Sequence, residues 1–115
     1  MAVLSSHLLN GVDGTHAGQV TVTLMRIAAD GKSSVVFKGQ SDQGGRFQHE
    51  VPVATDAGYE MVIASGTYFA RRDIPVTDKQ ILSEIVIRFS MPDPDGRYHI
   101  PIIMSPNSYS CWWSS

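Results

Sequence analysis

The chain has a single cysteine, Cys111, so no disulfide can form within it, and nothing points to an oxidising compartment. Its nine Lys and Arg residues form no run longer than the pair Arg71 and Arg72, and the net charge is -2. Nucleic acid and anionic membrane surfaces are therefore poor candidates for partners. The longest apolar runs, such as Ile100 to Met104, fall far short of the roughly 20 residues of a membrane helix, so no membrane span is expected.

The N-terminal residues lack a basic segment, a continuous apolar run and a small-residue cleavage site, which are the parts of a secretory signal. We therefore expect no export signal and a cytoplasmic location. The length of 115 residues and the 43% hydrophobic content are typical of one globular domain, so a single domain over residues 1–115 is expected.

The hydrophobic pattern is that of short strands, because no segment keeps a helical period for three turns. Between Val20 and Ile27, apolar residues alternate with threonines, as in a strand with one buried face. Predicted strands cover residues 3–9, 20–27, 34–39, 47–51, 59–64, 83–90, 98–104 and 108–113. Turn dipeptides such as Asn10-Gly11 and Asp95-Gly96 separate them. About eight strands at this spacing predict an antiparallel β-sandwich, with a short helix in residues 66–73 before Pro75.

The chain has four histidines, His7, His16, His49 and His99. None has the spacing of a metal-binding pattern, so no zinc site is expected, and nothing in the sequence calls for a cofactor. His99 lies in an otherwise apolar strand, where a histidine is usually buried and hydrogen-bonded. His7 fits a surface position at a sheet end, and Arg46 fits a solvated charge after a hairpin. Taken singly, each residue is explained without a function.

Four segments, in order along the chain, together resemble a known family. They are Leu-Ser-Ser-His-Leu-Leu-Asn at 4–10, Ser-Asp-Gln-Gly-Gly-Arg at 41–46, Gly-Thr-Tyr-Phe-Ala at 66–70, and Tyr-His-Ile-Pro-Ile-Ile-Met-Ser-Pro at 98–106. They resemble the L-S-T-H-V-L-D, T-N-x-D-G-R, G-x-Y-F and Y-H-V-P-L-L-L-S-P motifs of the 5-hydroxyisourate hydrolases, which share the transthyretin fold. The resemblance covers essentially the whole chain.

The resemblance implies an eight-stranded, antiparallel, transthyretin-like sandwich with one short helix. It also implies a homotetramer whose active sites lie between subunits in a central channel and bind a small molecule. The family's catalytic histidine falls on His7, its substrate-binding arginine on Arg46 and its second histidine on His99. In the family, histidine-assisted attack of water on a ring carbonyl opens the lactam of 5-hydroxyisourate, a step of purine metabolism. The resemblance implies that either His7 or His99 is the base, that the other histidine positions water or the developing oxyanion, and that Arg46 stabilises negative charge.

The last residues depart from the family, whose enzymes end in Tyr-Arg-Gly-Ser where this chain has Trp112, Trp113, Ser114 and Ser115. Trp112 offers one N–H but no hydroxyl, and Trp113 removes a permanent cation with its forked donors. Strand alternation groups Ser110, Trp112 and Ser114 on one face and places Trp113 on the other.

The predicted substrate-contacting residues are Pro101, Ser110, Trp112, Trp113 and Ser115. A smaller departure is His16, which stands where the family commonly has proline and is interpreted as a turn residue outside the chemistry.

Three functions are compatible with this pattern. The first is hydrolysis of 5-hydroxyisourate despite the changed tail. The second uses the same histidines and arginine on a larger, more apolar aromatic carbonyl compound in specialised metabolism, with the two indoles as stacking surface. The third is a non-catalytic channel that binds an aromatic ligand. Retention of His7, Arg46 and His99 argues against the third.

Overall fold

The computed structural model describes residues 1–72 and 80–115, and over those ranges it contains nine strands and one helix. The strands are β1 (Ala2–Asn10), β2 (Thr21–Ile27), β3 (Ser33–Gln40), β4 (Arg46–Val51), β5 (Gly58–Ile63), β6 (Ile85–Phe89), β7 (Arg97–His99), β8 (Ile102–Ser105) and β9 (Ser108–Cys111). The helix is α1 (Ser65–Ala70). No helix in the described ranges is long and apolar enough to cross a membrane.

The strands form two sheets that face each other across a hydrophobic core. One sheet has the order β4-β1-β8-β9, with β7 also paired to β1, and the other has the order β3-β2-β5-β6. The core contains the inward side chains of both sheets, Tyr68 and Phe69 from α1, and residues of the connecting segments, namely Ala17, Val20, Met91 and Ile100. The predicted mostly-β sandwich with one short helix is therefore confirmed. The last residue of the predicted helical segment, Asp73, lies outside the described residues.

Strand β1 is central to its sheet and decides which residues reach the outer surface. Its burial alternates strictly along Ala2–Asn10, so that Leu4, Ser6 and Leu8 face the core while Ser5 and His7 face outward. The buried hydroxyl of Ser6 donates a hydrogen bond of 2.6 Å to the Ile100 carbonyl. Because this bond satisfies the one polar side-chain group at that position, the alternation continues without a break.

The predicted strand over residues 98–104 is divided into β7 and β8, and the division lies at Pro101. His99 and Ser114 form an antiparallel pair in which each backbone N–H donates to the carbonyl of the other residue. In this register Pro101 and Trp112, two residues further along, are the next pair that could exchange both bonds. Only one bond can form there, from the Trp112 N–H to the Pro101 carbonyl, because proline has no N–H. β7 and β8 both pair with β1 in parallel, whereas the other strand pairs are antiparallel.

Candidate functional site

The outer face of the β1 sheet brings together three of the residues predicted to be functional. His7 on β1 lies directly opposite Arg46 on β4. Two residues earlier on the same face, Ser5 lies between Gln48 of β4 and His99 of β7. Residues distant in sequence therefore meet because β1 has β4 along one edge and β7 along the other.

A tight turn fixes the position of Arg46. The Asp42 carboxylate accepts hydrogen bonds of 2.9 Å from the backbone N–H groups of Gly44 and Arg46. Between them Gly45 has a φ of +77°, a conformation that side chains with a Cβ rarely adopt. The turn thus starts β4 at Arg46 and directs its side chain to the outer face.

Arg46 and His99 line one pocket of about 340 Å³ on this face. The other lining residues are Ser5, Ser6, Asp42, Phe47 and Gln48. Within residues 1–72 and 80–115, no carboxylate forms a salt bridge with the Arg46 guanidinium. The forked donors of Arg46 therefore remain available to an anionic or oxygen-rich ligand.

The second histidine of the site is held by its side chain and its backbone. Nδ1 of His99 is hydrogen-bonded to Oγ of Ser5 at 2.8 Å. The backbone of His99 exchanges two hydrogen bonds with Ser114, of 3.1 and 2.8 Å. Because Ser5 engages Nδ1, the other ring nitrogen of His99 is the one free to contact a ligand in the pocket.

His7 contacts His16, which follows the turn after β1. Nε2 of His7 lies 2.9 Å from Nδ1 of His16, and the two rings stack with their centroids 5.0 Å apart. Burial is the main cause that lowers the pKa of His7, followed by the positive charge of Arg46 and then by His16 and His99, whereas a hydrogen bond to the Gly44 backbone raises it. His16 was interpreted as a turn residue outside the chemistry, and the structure brings its ring into contact with His7. The one sequence signal that set His16 apart was that a histidine stands where the family commonly has proline.

The tail residues are divided between the two faces of the sheet. Trp112 lies opposite Pro101, two residues from the pair of His99 and Ser114. Ser110 lies opposite Ile103, two residues further along the same strand pair. Trp113 points the other way and lines a separate, mostly apolar pocket of about 330 Å³, whose lining includes Phe89 and Ile100.

Both indoles are largely exposed, Trp112 at 48% and Trp113 at 62%. Within one chain, Trp113 is not among the residues that line the pocket of Arg46 and His99. Ser115 is exposed and follows Ser114, which is bridged to His99. In the described part of the chain, no group of three or more His, Cys, Asp or Glu side chains is arranged to hold a metal ion.

The chain is similar in sequence and in structure to known proteins. Residues 4–113 match the family model described as HIUase/Transthyretin family. A 5-hydroxyisourate hydrolase of Halalkalibacterium halodurans is 30% identical over 117 residues, which cover 97% of each chain. The structure of (S)-allantoin synthase has a TM-score of 0.85 at 25% identity and covers 99% of this chain, which spans only 44% of that one. Sea bream transthyretin in complex with thyroxine has a TM-score of 0.80 at 22% identity, covers 96% of this chain and 93% of its own, and confirms the predicted fold class.

Proposed function

The chain belongs to the HIUase/Transthyretin family, and on that premise we propose that it is a hydrolase that opens the ring of 5-hydroxyisourate. The observation that supports this proposal is the position of His7, Arg46 and His99 on one outer face, with Arg46 and His99 lining the same pocket. Two imidazoles and a guanidinium are groups that hydrolysis of a cyclic amide can use for proton transfer and charge stabilisation.

In the proposed mechanism, His7 acts as the general base toward water. The attack forms a bond between the water oxygen and the ring carbonyl carbon, and it breaks the bond from that carbon to the ring nitrogen, which receives a proton. His99 positions the water and the developing oxyanion, and Arg46 stabilises the negative charge. The lowered pKa of His7 favours this assignment, because it keeps the ring neutral and able to accept a proton near neutral pH.

The homotetramer implied by the family resemblance is part of this proposal. The pocket of Arg46 and His99 lies on the outer face of a sheet and is open on one side. A second copy of the chain facing this sheet would enclose a substrate between subunits and exclude water from the reaction. Measuring the mass of the protein in solution by light scattering tests this assembly.

The exposed Trp112 and Trp113 favour a second candidate, in which the same residues act on a larger aromatic carbonyl compound. Indoles provide stacking surface but lack the hydroxyl and guanidinium that an oxygen-rich ring would bind. One measurement separates the two candidates. Freshly generated 5-hydroxyisourate is followed by its ultraviolet absorbance, with and without the protein, and decay no faster than the spontaneous rate would exclude it as the substrate.

The double variant Trp112→Tyr/Trp113→Arg is expected to raise kcat/KM for 5-hydroxyisourate by about tenfold or more, the effect of one additional hydrogen bond to an oxygen-rich substrate. Trp112 lies opposite Pro101 on the face of His99, whereas Trp113 faces the other pocket. The single variant Trp112→Tyr should therefore give most of the gain. If Trp113→Arg alone gave all of it, the assignment of faces to substrate binding would be wrong.

The rate is also expected to depend on pH in a way that follows from His7. A base must be neutral, and the pKa of His7 is lowered from its ordinary value of about 6.5, so protonation removes the base only at lower pH. The value of kcat/KM should therefore stay constant as the pH falls through 6.5 and decline below it. Measuring kcat/KM between about pH 5 and 8 tests this. A decline centred at or above 6.5 would exclude neutral His7 as the base.

A further inference from the structure

His16 brings another imidazole to the edge of the proposed active site, on a backbone that is held in place. Its Cα lies opposite Leu9, and the next residue, Ala17, donates a backbone hydrogen bond of 2.9 Å to the Leu8 carbonyl. The pairing of β4 with β1 ends at His7, and this segment continues along the same edge of β1. The segment that carries His16 therefore follows β4 along this edge, next to His7.

The distance of 2.9 Å between Nε2 of His7 and Nδ1 of His16 requires one hydrogen between the two nitrogens. A hydrogen bond to the Gly44 backbone raises the pKa of His7, as expected for a carbonyl that accepts an N–H from this ring. A neutral imidazole has only one N–H. The distance allows two arrangements, and in one of them the N–H of His7 is on Nδ1, so that the hydrogen between the rings belongs to Nδ1 of His16. In this arrangement His16 occupies the proton-accepting nitrogen of His7, Nε2.

The free lone pair of the two rings then lies on Nε2 of His16, which has no hydrogen-bond partner within residues 1–72 and 80–115. We propose that His16 relays protons between the substrate water and His7, so that the base of this site is a pair of histidines. This inference rests on the proposed function, and it assigns a role to a residue for which neither the family match nor the resemblance gives one.

The relay balances without any further reactant. As the water oxygen bonds to the carbonyl carbon, an O–H bond of water breaks and an N–H bond forms at Nε2 of His16. The hydrogen on Nδ1 of His16 passes to Nε2 of His7, which becomes the imidazolium. When the ring C–N bond breaks, the same steps in reverse deliver a proton to the leaving nitrogen. Both histidines regain their starting forms.

The charges around the pair favour return of the proton. Arg46 from β4 and His99 from β7 both disfavour a positive charge on His7, and Asp42, in the turn before β4, lines the adjoining pocket. A proton received by His7 therefore lies in a site that releases it readily, as a relay requires.

Replacing His16 separates a relay from a purely positioning role. Asparagine at this position keeps an N–H donor toward His7 but has no nitrogen that accepts a proton, whereas leucine has neither. A relay predicts that His16→Asn and His16→Leu both lower kcat for 5-hydroxyisourate by about 10²-fold. It also predicts that added imidazole restores part of the rate of a His16→Ala variant. Wild-type kcat in His16→Asn would show that His16 only positions His7 and would overturn the proposal.

Two further measurements complete the test. His49→Asn is the matched control, since this histidine stacks on Phe37 away from the site and its replacement should leave kcat unchanged. Ring ¹⁵N spectra of the wild-type protein are expected to show an unprotonated Nε2 on His7 and a protonated Nδ1 on His16. The opposite protonation of the two rings would overturn the relay, whether or not the protein acts on 5-hydroxyisourate. The failure of the relay can therefore be distinguished from the failure of the proposed function.

Discussion

A His7→Ala variant is expected to hydrolyse 5-hydroxyisourate about 10²- to 10⁴-fold more slowly at saturating substrate, because that is the range that a general base contributes. KM should change much less. His7 is not among the residues that line the pocket, whereas Arg46 and His99 are, and both remain in the variant. Initial rates over a range of substrate concentrations, corrected for spontaneous decay, give the two constants.

The control for this variant concerns folding and the partner ring. His7 is partly exposed on the outer face of β1, so removing its ring opens no core cavity, and the unfolding midpoint should stay close to that of the wild type. If His7 and His16 act as one base, His7→Ala/His16→Ala should be no slower than His7→Ala alone. A further loss equal to that of His16→Ala would show that the two histidines act independently.

Much of the fold could be predicted from the sequence because the two-residue alternation is a direct consequence of a sandwich with one buried face per sheet. The strand β1 shows this, since every second residue from Ala2 to Asn10 is buried. The parallel pairing of β1 with β7 and β8 could not be predicted, because alternation carries no information about which strands are neighbours. The division at Pro101 follows from its missing N–H, but only once the tail is known to pair there.

The candidate site was predictable where residues matched family motifs and unpredictable where a contact depends on backbone geometry. His7, Arg46 and His99 came from the resemblance, and β1 explains why they meet. His16 was missed because its contact with His7 depends on how the segment after β1 folds back along that strand. The opposed directions of Trp112 and Trp113 did follow from alternation, because the tail continues the antiparallel register of β9 past its last residue.

A Gly45→Ala variant is expected to lose about 3 kcal/mol or more of its free energy of unfolding. Gly45 has a φ of +77°, and its carbonyl accepts a backbone hydrogen bond of 2.7 Å from Leu8. A Cβ at this position would overlap the Leu8 carbonyl oxygen and lie 3.1 Å from the backbone nitrogen of Ala17. Because these two groups are hydrogen-bonded to each other, either the turn or the segment that carries His16 must shift. Denaturant unfolding at a fixed protein concentration measures the loss.

Gly31→Ala is the matched control, because it separates backbone strain from the overlap. Gly31 has a φ of +86°, but a Cβ there would meet nothing within 4 Å. Its replacement should therefore cost only the strain of a left-handed residue, about 1 to 2 kcal/mol. The difference between the two variants measures how tightly the turn before Arg46 packs against β1. An equal loss in both would mean that the backbone around Leu8 and Ala17 yields easily, and then the contact between His7 and His16 could not depend on a rigid turn.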